Sequence, residues 1–258
     1  MKYPYIVREA DMKKEFNKEG FACCELLPGS YDGGVRNYKC WLKAGSKFSP
    51  ELHARDTVLL MFGKGKGYIT SESQMYRIQE PSFFAPAFDR ESYTINALED
   101  MEFVLSVIEM NQWDWEKYHE SHVRLPFFMK YSDGLVYDQD CKGPNTTSWI
   151  ILGREQIGRI MVGVVRAVGE GTREKGHAKV AQWNYCLPGA DFNLTVGDNQ
   201  AENHKAGEWS YVPAGLDHSL VAEEGKEVFY VWFEHFTRER DFCLALAEGQ
   251  SLEEALKH

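Results

Sequence analysis

Two stretches in the second half of the chain carry most of the residues that could do chemistry. One runs from Lys175 to Phe192, KGHAKVAQWNYCLPGADF, and holds His177 with Gln182 five residues on. The other runs from Gly207 to His218, GEWSYVPAGLDH, and ends in a second histidine. Imidazole suits Zn, Fe, Ni, Mn or Cu, and it also moves protons near neutral pH. An amide carbonyl can add a neutral oxygen donor. A lysine beside these groups brings positive charge for an anionic substrate or, once desolvated, an amine nucleophile. A single histidine is usually no ligand, so these residues count only if the fold makes them meet.

The elements that would make them meet are strands. Runs such as YKCWLKAG, RIMVGVVRAVGEG, FNLTVGD and EVFYVWFEHF are rich in β-branched and aromatic residues, are cut by Gly, Pro and Asp, and in several cases alternate apolar with polar residues. Residues one apart on a strand share a face, which would place Lys175 and His177 on one wall. Gln182 would follow on the neighbouring strand, and the turn Pro213-x-Gly215 would deliver His218 from a distant one. Helical signal is sparse. It is confined to a short stretch around Trp113 to Tyr118 and a C-terminal tail in which Ser251 and Glu254 have capping-box spacing.

The chain also repeats itself. Gly45, Glu51, His53, Val58 and Gly65 recur, with the same gaps, as Gly169, Lys175, His177, Gln182 and Gly189. EPSFFAPAFDRE (Glu80 to Glu91) then matches GEWSYVPAGLDH, and MEFVLSVIEM (Met101 to Met110) matches KEVFYVWFEH (Lys226 to His235), in the same order. Such a repeat implies a duplicated all-β domain, with one copy over residues 1–122 and the other over 123–258.

The second copy carries the spacing of both cupin motifs, the second motif at every fixed position from Gly207 through Pro213 and Gly215 to His218. The whole chain therefore resembles a bicupin. The resemblance implies two tandem jelly-roll barrels, each a double-stranded β-helix, followed by a short helical tail. It also implies that Lys175, His177, Gln182 and His218 converge in the second barrel. Relatives usually have three His and one Glu at those positions, so Lys175 and Gln182 depart from the pattern. Ureidoglycine aminohydrolases and sugar-acid isomerases share the architecture, but their usual ligand sets are not reproduced here.

Two pictures of the second cavity follow. In one, a divalent transition metal (Mn, Fe, Zn or Ni) sits on His177, Gln182 and His218, while Lys175 binds substrate or transfers protons. In the other there is no metal, and Lys175 grips an anion or forms an imine. In the first copy Glu51, His53 and Glu91 could hold a metal, or salt bridges could simply fill that barrel. Tyr185, Trp209, Tyr230 and Trp232 are candidates to line the second pocket, with core packing as their alternative. Glu234 follows Tyr230 and Trp232 on one face, His235 should face outward, and His204 should lie in a solvated turn. GKGKGYIT lacks the spacing and following helix of a phosphate loop and reads as a β-turn, so no nucleotide cofactor is expected.

Composition narrows the partners. The 258 residues carry a net charge of −10 and a pI near 5.3, with no basic stripe for nucleic acid or an anionic membrane. Neither a signal peptide nor a membrane span is evident, and six scattered cysteines without a C-x-x-C pair fit free thiols in the cytoplasm. The expectation is an enzyme, homodimeric or larger, acting on a small polar anionic metabolite such as a sugar acid, ureide or keto acid. Isomerisation, lyase cleavage or C–N hydrolysis would suit His, Lys and a Lewis acid. The alternatives are a dioxygenase using Fe, Ni or Cu, and a non-enzymatic sugar-binding module.

Overall fold

The computed structural model describes residues 5–154 and 156–236. The tail bearing Ser251 and Glu254 lies outside the described residues. The chain divides into two compact units. Among the described residues, one comprises 7–134 and 156–158, the other 5–6, 135–154 and 159–236. The expected boundary at residue 122 falls too early, because the strand Phe127–Lys130 pairs with Ser82–Ala85 and extends a sheet of the first unit.

Each unit is a pair of antiparallel sheets, and the strands run in the same order in both. The larger sheet of the second unit orders Tyr5–Val7, Trp209–Val212, Val180–Cys186, Glu227–Phe236, Ile160–Val168, Thr146–Leu152 and Leu135–Tyr137. The first unit orders Phe127–Lys130, Ser82–Ala85, Asp56–Lys64, Met101–Glu109, Val35–Leu42 and Phe21–Leu26. The smaller sheets match as well: Gly171–Glu174, His218–Val221, Asp191–Val196 and Glu202–Lys205 correspond to Lys47–Phe48, Tyr93–Ala97, Gly67–Ser71 and Met75–Ile78.

Local sequence explains where the elements begin and end. Asp191–Val196 alternates partly exposed and buried residues, as a strand with one solvated face must, whereas Val180–Cys186 is buried on both faces throughout. GKGKGYIT spans the tight connection between Asp56–Lys64 and Gly67–Ser71, which consists of Gly65 and Lys66 alone. The helix Gln112–Ser121 starts at a reciprocal cap. The Asn111 side chain accepts from the Asp114 amide at 3.0 Å, and Asp114 accepts from the Asn111 amide at 2.9 Å. It ends at His122, which adopts the left-handed conformation.

The two interiors differ in kind. The first is filled with hydrocarbon: Val58, Leu60, Phe62, Phe84, Ile95 and Phe103 form one buried cluster. Ring pairs such as Phe62–Phe103 and Phe84–Tyr93, both at 5.2 Å between centroids, interlock across it. The second interior keeps buried polar side chains, Gln182, Asn184, Thr172 and His218 among them.

Candidate functional site

The first unit offers no place for the expected metal. Glu51 is exposed, His53 Nδ1 is engaged by Asp56 at 3.2 Å, and Glu91 accepts from Ser73 Oγ at 3.1 Å. Val58, at the position corresponding to Gln182, belongs to the apolar plug. Three polar residues on loops around a filled barrel cannot share an ion.

In the second unit the two histidines do meet. His218 begins the strand His218–Val221 and lies directly across from Glu174, the last residue of Gly171–Glu174. His177 Nε2 is 3.5 Å from Glu174 Oε2, and His218 Nε2 is 3.7 Å from the same oxygen. The imidazole centroids are 6.2 Å apart, nearly edge-on. A single carboxylate oxygen therefore sits between two ring nitrogens.

Lys175 does not join them. Its side chain is 81% exposed, and its Nζ donates to Asp217 at 2.9 Å. The reason is that the strand stops at Glu174, so Lys175 and His177 are not on one strand and alternation no longer applies between them. Asp217 also accepts from the Gly176 amide at 2.8 Å, and the Gly215 amide donates to the His177 carbonyl at 2.9 Å. Gly176 is pressed against the Pro213-x-Gly215 turn so closely that a Cβ there would lie 2.4 Å from the Gly215 backbone. The loop turns Lys175 outward and leaves Glu174, in phase with the buried Thr172, pointing inward.

The opposite wall comes from Glu227–Phe236 and Val180–Cys186. Gln182 lies across from Glu234, and Asn184 across from Trp232, so these four share a face with Tyr230. Tyr185 and Trp209, both expected to line the pocket, pair with each other on the other face of the sheet. Tyr230 reaches Thr172 of the facing sheet, with 3.5 Å between their hydroxyl oxygens. Trp232 lies over Gly163, whose hydrogen leaves room for the indole; a Cβ there would be 2.2 Å from Trp232 Cζ2. The Trp232 indole N–H donates to the hydroxyl of Tyr137. His204 is not solvated: it is fully buried in Glu202–Lys205 against Phe192 and bonds Glu208 at 3.0 Å. His235 does point away from the Glu234 face, yet it too is buried.

Electrostatics sort these groups. Burial pushes the Glu174 carboxyl up, but the His177 bond and the electrostatic pull of the histidines and Lys142 around it outweigh that and hold it below the usual carboxylate range. Burial likewise pushes His177 down, but Glu174 and Glu234 overcome it, so its pKa is raised. In His218 burial prevails over Glu174 and the pKa falls. Its Nδ1 faces the Leu216 carbonyl at 3.2 Å and donates there, which leaves the Nε2 lone pair turned inward. Burial drives Glu234 up to about 7; His177 opposes the rise and Glu174 adds to it.

Among the described residues no group of three or more His, Cys, Asp and Glu side chains is placed to hold a metal ion. Individual donors are nevertheless left open toward the interior. Buried His218 Nε2 has no hydrogen-bond partner, and neither does buried Gln182 Oε1, whose amide nitrogen is committed to Asn184 at 2.9 Å. Nδ1 of His218 is held by a carbonyl, the support that metal-ligating imidazoles use. A neutral imidazole lone pair facing a carboxylate oxygen is repulsive unless a cation lies between them.

Against solved structures, the chain superposes along almost its whole length on two-barrel proteins. A Pseudomonas aeruginosa protein described as glyoxylate-induced gives a TM-score of 0.73 at 12% identity, over 92% of this chain and 90% of that one. The fold is that of a bicupin. A Lactobacillus farciminis oxalate decarboxylase in complex with formate gives a TM-score of 0.65 at 13% identity, over 97% of this chain and 95% of that one. The 7S globulin of Momordica charantia gives 0.65 at 11%, over 90% and 84%. No family model matches the sequence, and no curated protein does. No helix among the described residues is long and apolar enough to cross a membrane.

Glu174, Tyr137 and Thr172 escaped the sequence reading. Glu174 stands two residues after Thr172 on the same short strand, whose sequence, GTRE, carries no apolar alternation to mark its inward face, whereas motif spacing selects Lys175. Nothing local marks Tyr137, which arrives from the strand Leu135–Tyr137 at the far edge of the sheet.

Proposed function

We propose that the second barrel is the active site of an enzyme that acts on a small polar metabolite by metal-assisted proton transfer. The observation that carries this reading is the convergence of His218 Nε2, at 3.7 Å, and His177 Nε2, at 3.5 Å, on one oxygen of the buried Glu174 carboxylate. His177, His218 and Glu174 would hold a divalent ion (Mn, Fe, Zn or Ni), with the Gln182 carbonyl within the same interior. Such an ion would polarise a substrate oxygen as a Lewis acid.

The other groups supply binding and proton movement. Glu234 keeps its proton to about pH 7, so it can give or take one at neutral pH. Tyr230 and Thr172 present hydroxyls for orientation, and Trp232, packed on Gly163, closes the wall against water. Isomerisation, lyase cleavage and C–N hydrolysis all lie within this set. Dioxygenase chemistry on Fe, Ni or Cu is the second reading. It gains from Glu174, because two imidazoles and one carboxylate are the donor set of non-haem iron oxygenases. A homodimer and a cytoplasmic location belong to the same proposal, the first measured by sedimentation equilibrium.

Elemental analysis of purified protein tests the reading. About one transition metal per chain is expected, and it should be lost in the Glu174→Gln/His218→Ala double variant. A wild-type protein that takes up no metal from Mn, Fe, Zn or Ni solutions would refute it. Tight ligand binding without turnover across sugar acids, ureides and keto acids would favour a binding module instead.

A further inference from the structure

We infer that Lys142 is the substrate-anion anchor of the second barrel and that the substrate is a small carboxylate. The inference rests on the reading of Glu174, His177 and His218 as the reacting centre and adds the group that would hold the other end of the ligand.

Lys142 lies on the segment between Leu135–Tyr137 and Thr146–Leu152, and its backbone is stitched to the strand that carries Glu174. Arg173 N donates to the Cys141 carbonyl at 2.9 Å, and Gly143 N to the Gly171 carbonyl at 3.0 Å. Lys142 and Thr172 thus form an antiparallel bridge, and residues directly opposed in such a bridge send their side chains to the same side. Thr172 is fully buried and faces the Tyr230 hydroxyl, so that side is the barrel interior. Glu174, two residues on, points the same way. Lys142 therefore enters the chamber from the wall that supplies the reacting carboxylate.

Its ammonium group is sealed from water and has no hydrogen-bond partner. It rests 3.4 Å from the centroid of the Tyr137 ring, the same tyrosine that receives the Trp232 N–H. A ring face attracts a cation but accepts none of its three N–H bonds in the way an oxygen does. A sealed ammonium without an acceptor is unfavourable, and a ligand carboxylate or other oxyanion removes the penalty. Burial lowers the Lys142 pKa to about 8, while Cys141, Glu174 and Asp138 oppose the drop, so the side chain still carries its charge at pH 7.

The same charge answers a difficulty of the site. Glu174 and Glu234 both face the interior of a chain with net charge −10, which repels an anionic ligand. Lys175 cannot offset this, since it points into solvent beside Asp217. Lys142 can, and it would orient the ligand with its carboxylate toward Tyr137 and its remaining carbons toward Glu174 and the imidazoles.

The test compares malonate with its neutral diamide, malonamide, by isothermal titration calorimetry on wild type and Lys142→Met, with the metal content of each sample measured alongside. Wild type should bind malonate and not malonamide. Lys142→Met should lose tenfold or more in malonate affinity while keeping its metal content. Malonate binding within twofold of wild type in the variant, or no preference for malonate over malonamide in wild type, would overturn the inference. If the variant does not fold, a malonate soak of wild-type crystals decides: a carboxylate oxygen within about 3 Å of Lys142 Nζ supports the anchor, and density elsewhere sinks it. Absence of metal with a Lys142-dependent malonate response would refute the metal reading alone.

Discussion

Replacing Glu234 by glutamine should change the pH dependence of stability by an amount set by its burial. In the folded protein this carboxyl holds its proton to about pH 7, against 4.5 for the free group, chiefly because burial disfavours the charge. A raised pKa means that the native state prefers the protonated form. The stabilisation is fully present below pH 4.5 and is lost as pH climbs through 7. Each tenfold difference in proton affinity corresponds to about 1.4 kcal/mol, so the window from 4.5 to 7 contains about 3 kcal/mol. Partial solvent access to Glu234 makes this an upper bound. Glutamine keeps the shape and cannot ionise. Urea unfolding of chelator-treated wild type and Glu234→Gln at pH 4.5 and pH 8 gives two stability differences, in which titrations common to both proteins largely cancel. The variant should gain on wild type by roughly 2–3 kcal/mol between the two pH values. A difference that stays constant would show that Glu234 is not desolvated and cannot serve as the neutral-pH proton carrier.

Other substitutions probe the supporting structure. Gly163→Ala would place a methyl 2.2 Å from Trp232 Cζ2, so a loss of about 1–3 kcal/mol and a shift in tryptophan emission are expected in denaturant melts. Unchanged stability and fluorescence would show that Trp232 does not lie on Gly163. Glu102→Gln in the first barrel removes the carboxylate 3.4 Å from the fully buried Lys39 ammonium, which should cost about 3–5 kcal/mol in urea unfolding. Lys175→Ala removes only an exposed pair with Asp217, so metal content and malonate binding should match wild type; loss of either would return Lys175 to the site.

Much of the fold was legible in one sequence. The repeat placed corresponding strands at nearly constant separation, and the structure realises them in the same sheet order in both units. The boundary was less legible, because Phe127–Lys130 looks like linker until it pairs with Ser82–Ala85. The site was legible where spacing and strand phase agree. Gln182 faces the interior because its strand alternates regularly, and His218 because it opens a strand just after the Pro213-x-Gly215 turn; His177 reaches the same carboxylate from the loop after Glu174. Spacing failed at Lys175, where the strand ends and Gly176 folds back on Gly215. It failed again for Tyr185 and Trp209, which lie one residue out of phase with Gln182 and so face the far side of the sheet.

What the sequence determined by itself, then, is what local periodicity and repetition encode: strands, turns, duplication, and two histidines converging on one chamber. Tertiary structure alone decided which charges share that chamber. Glu174 enters because a loop reverses direction after it, Lys142 because a backbone bridge to Thr172 carries it across, and the first barrel is excluded because aromatic side chains from several strands fill it. Each of these depends on contacts between residues far apart along the chain, and no local pattern records such contacts.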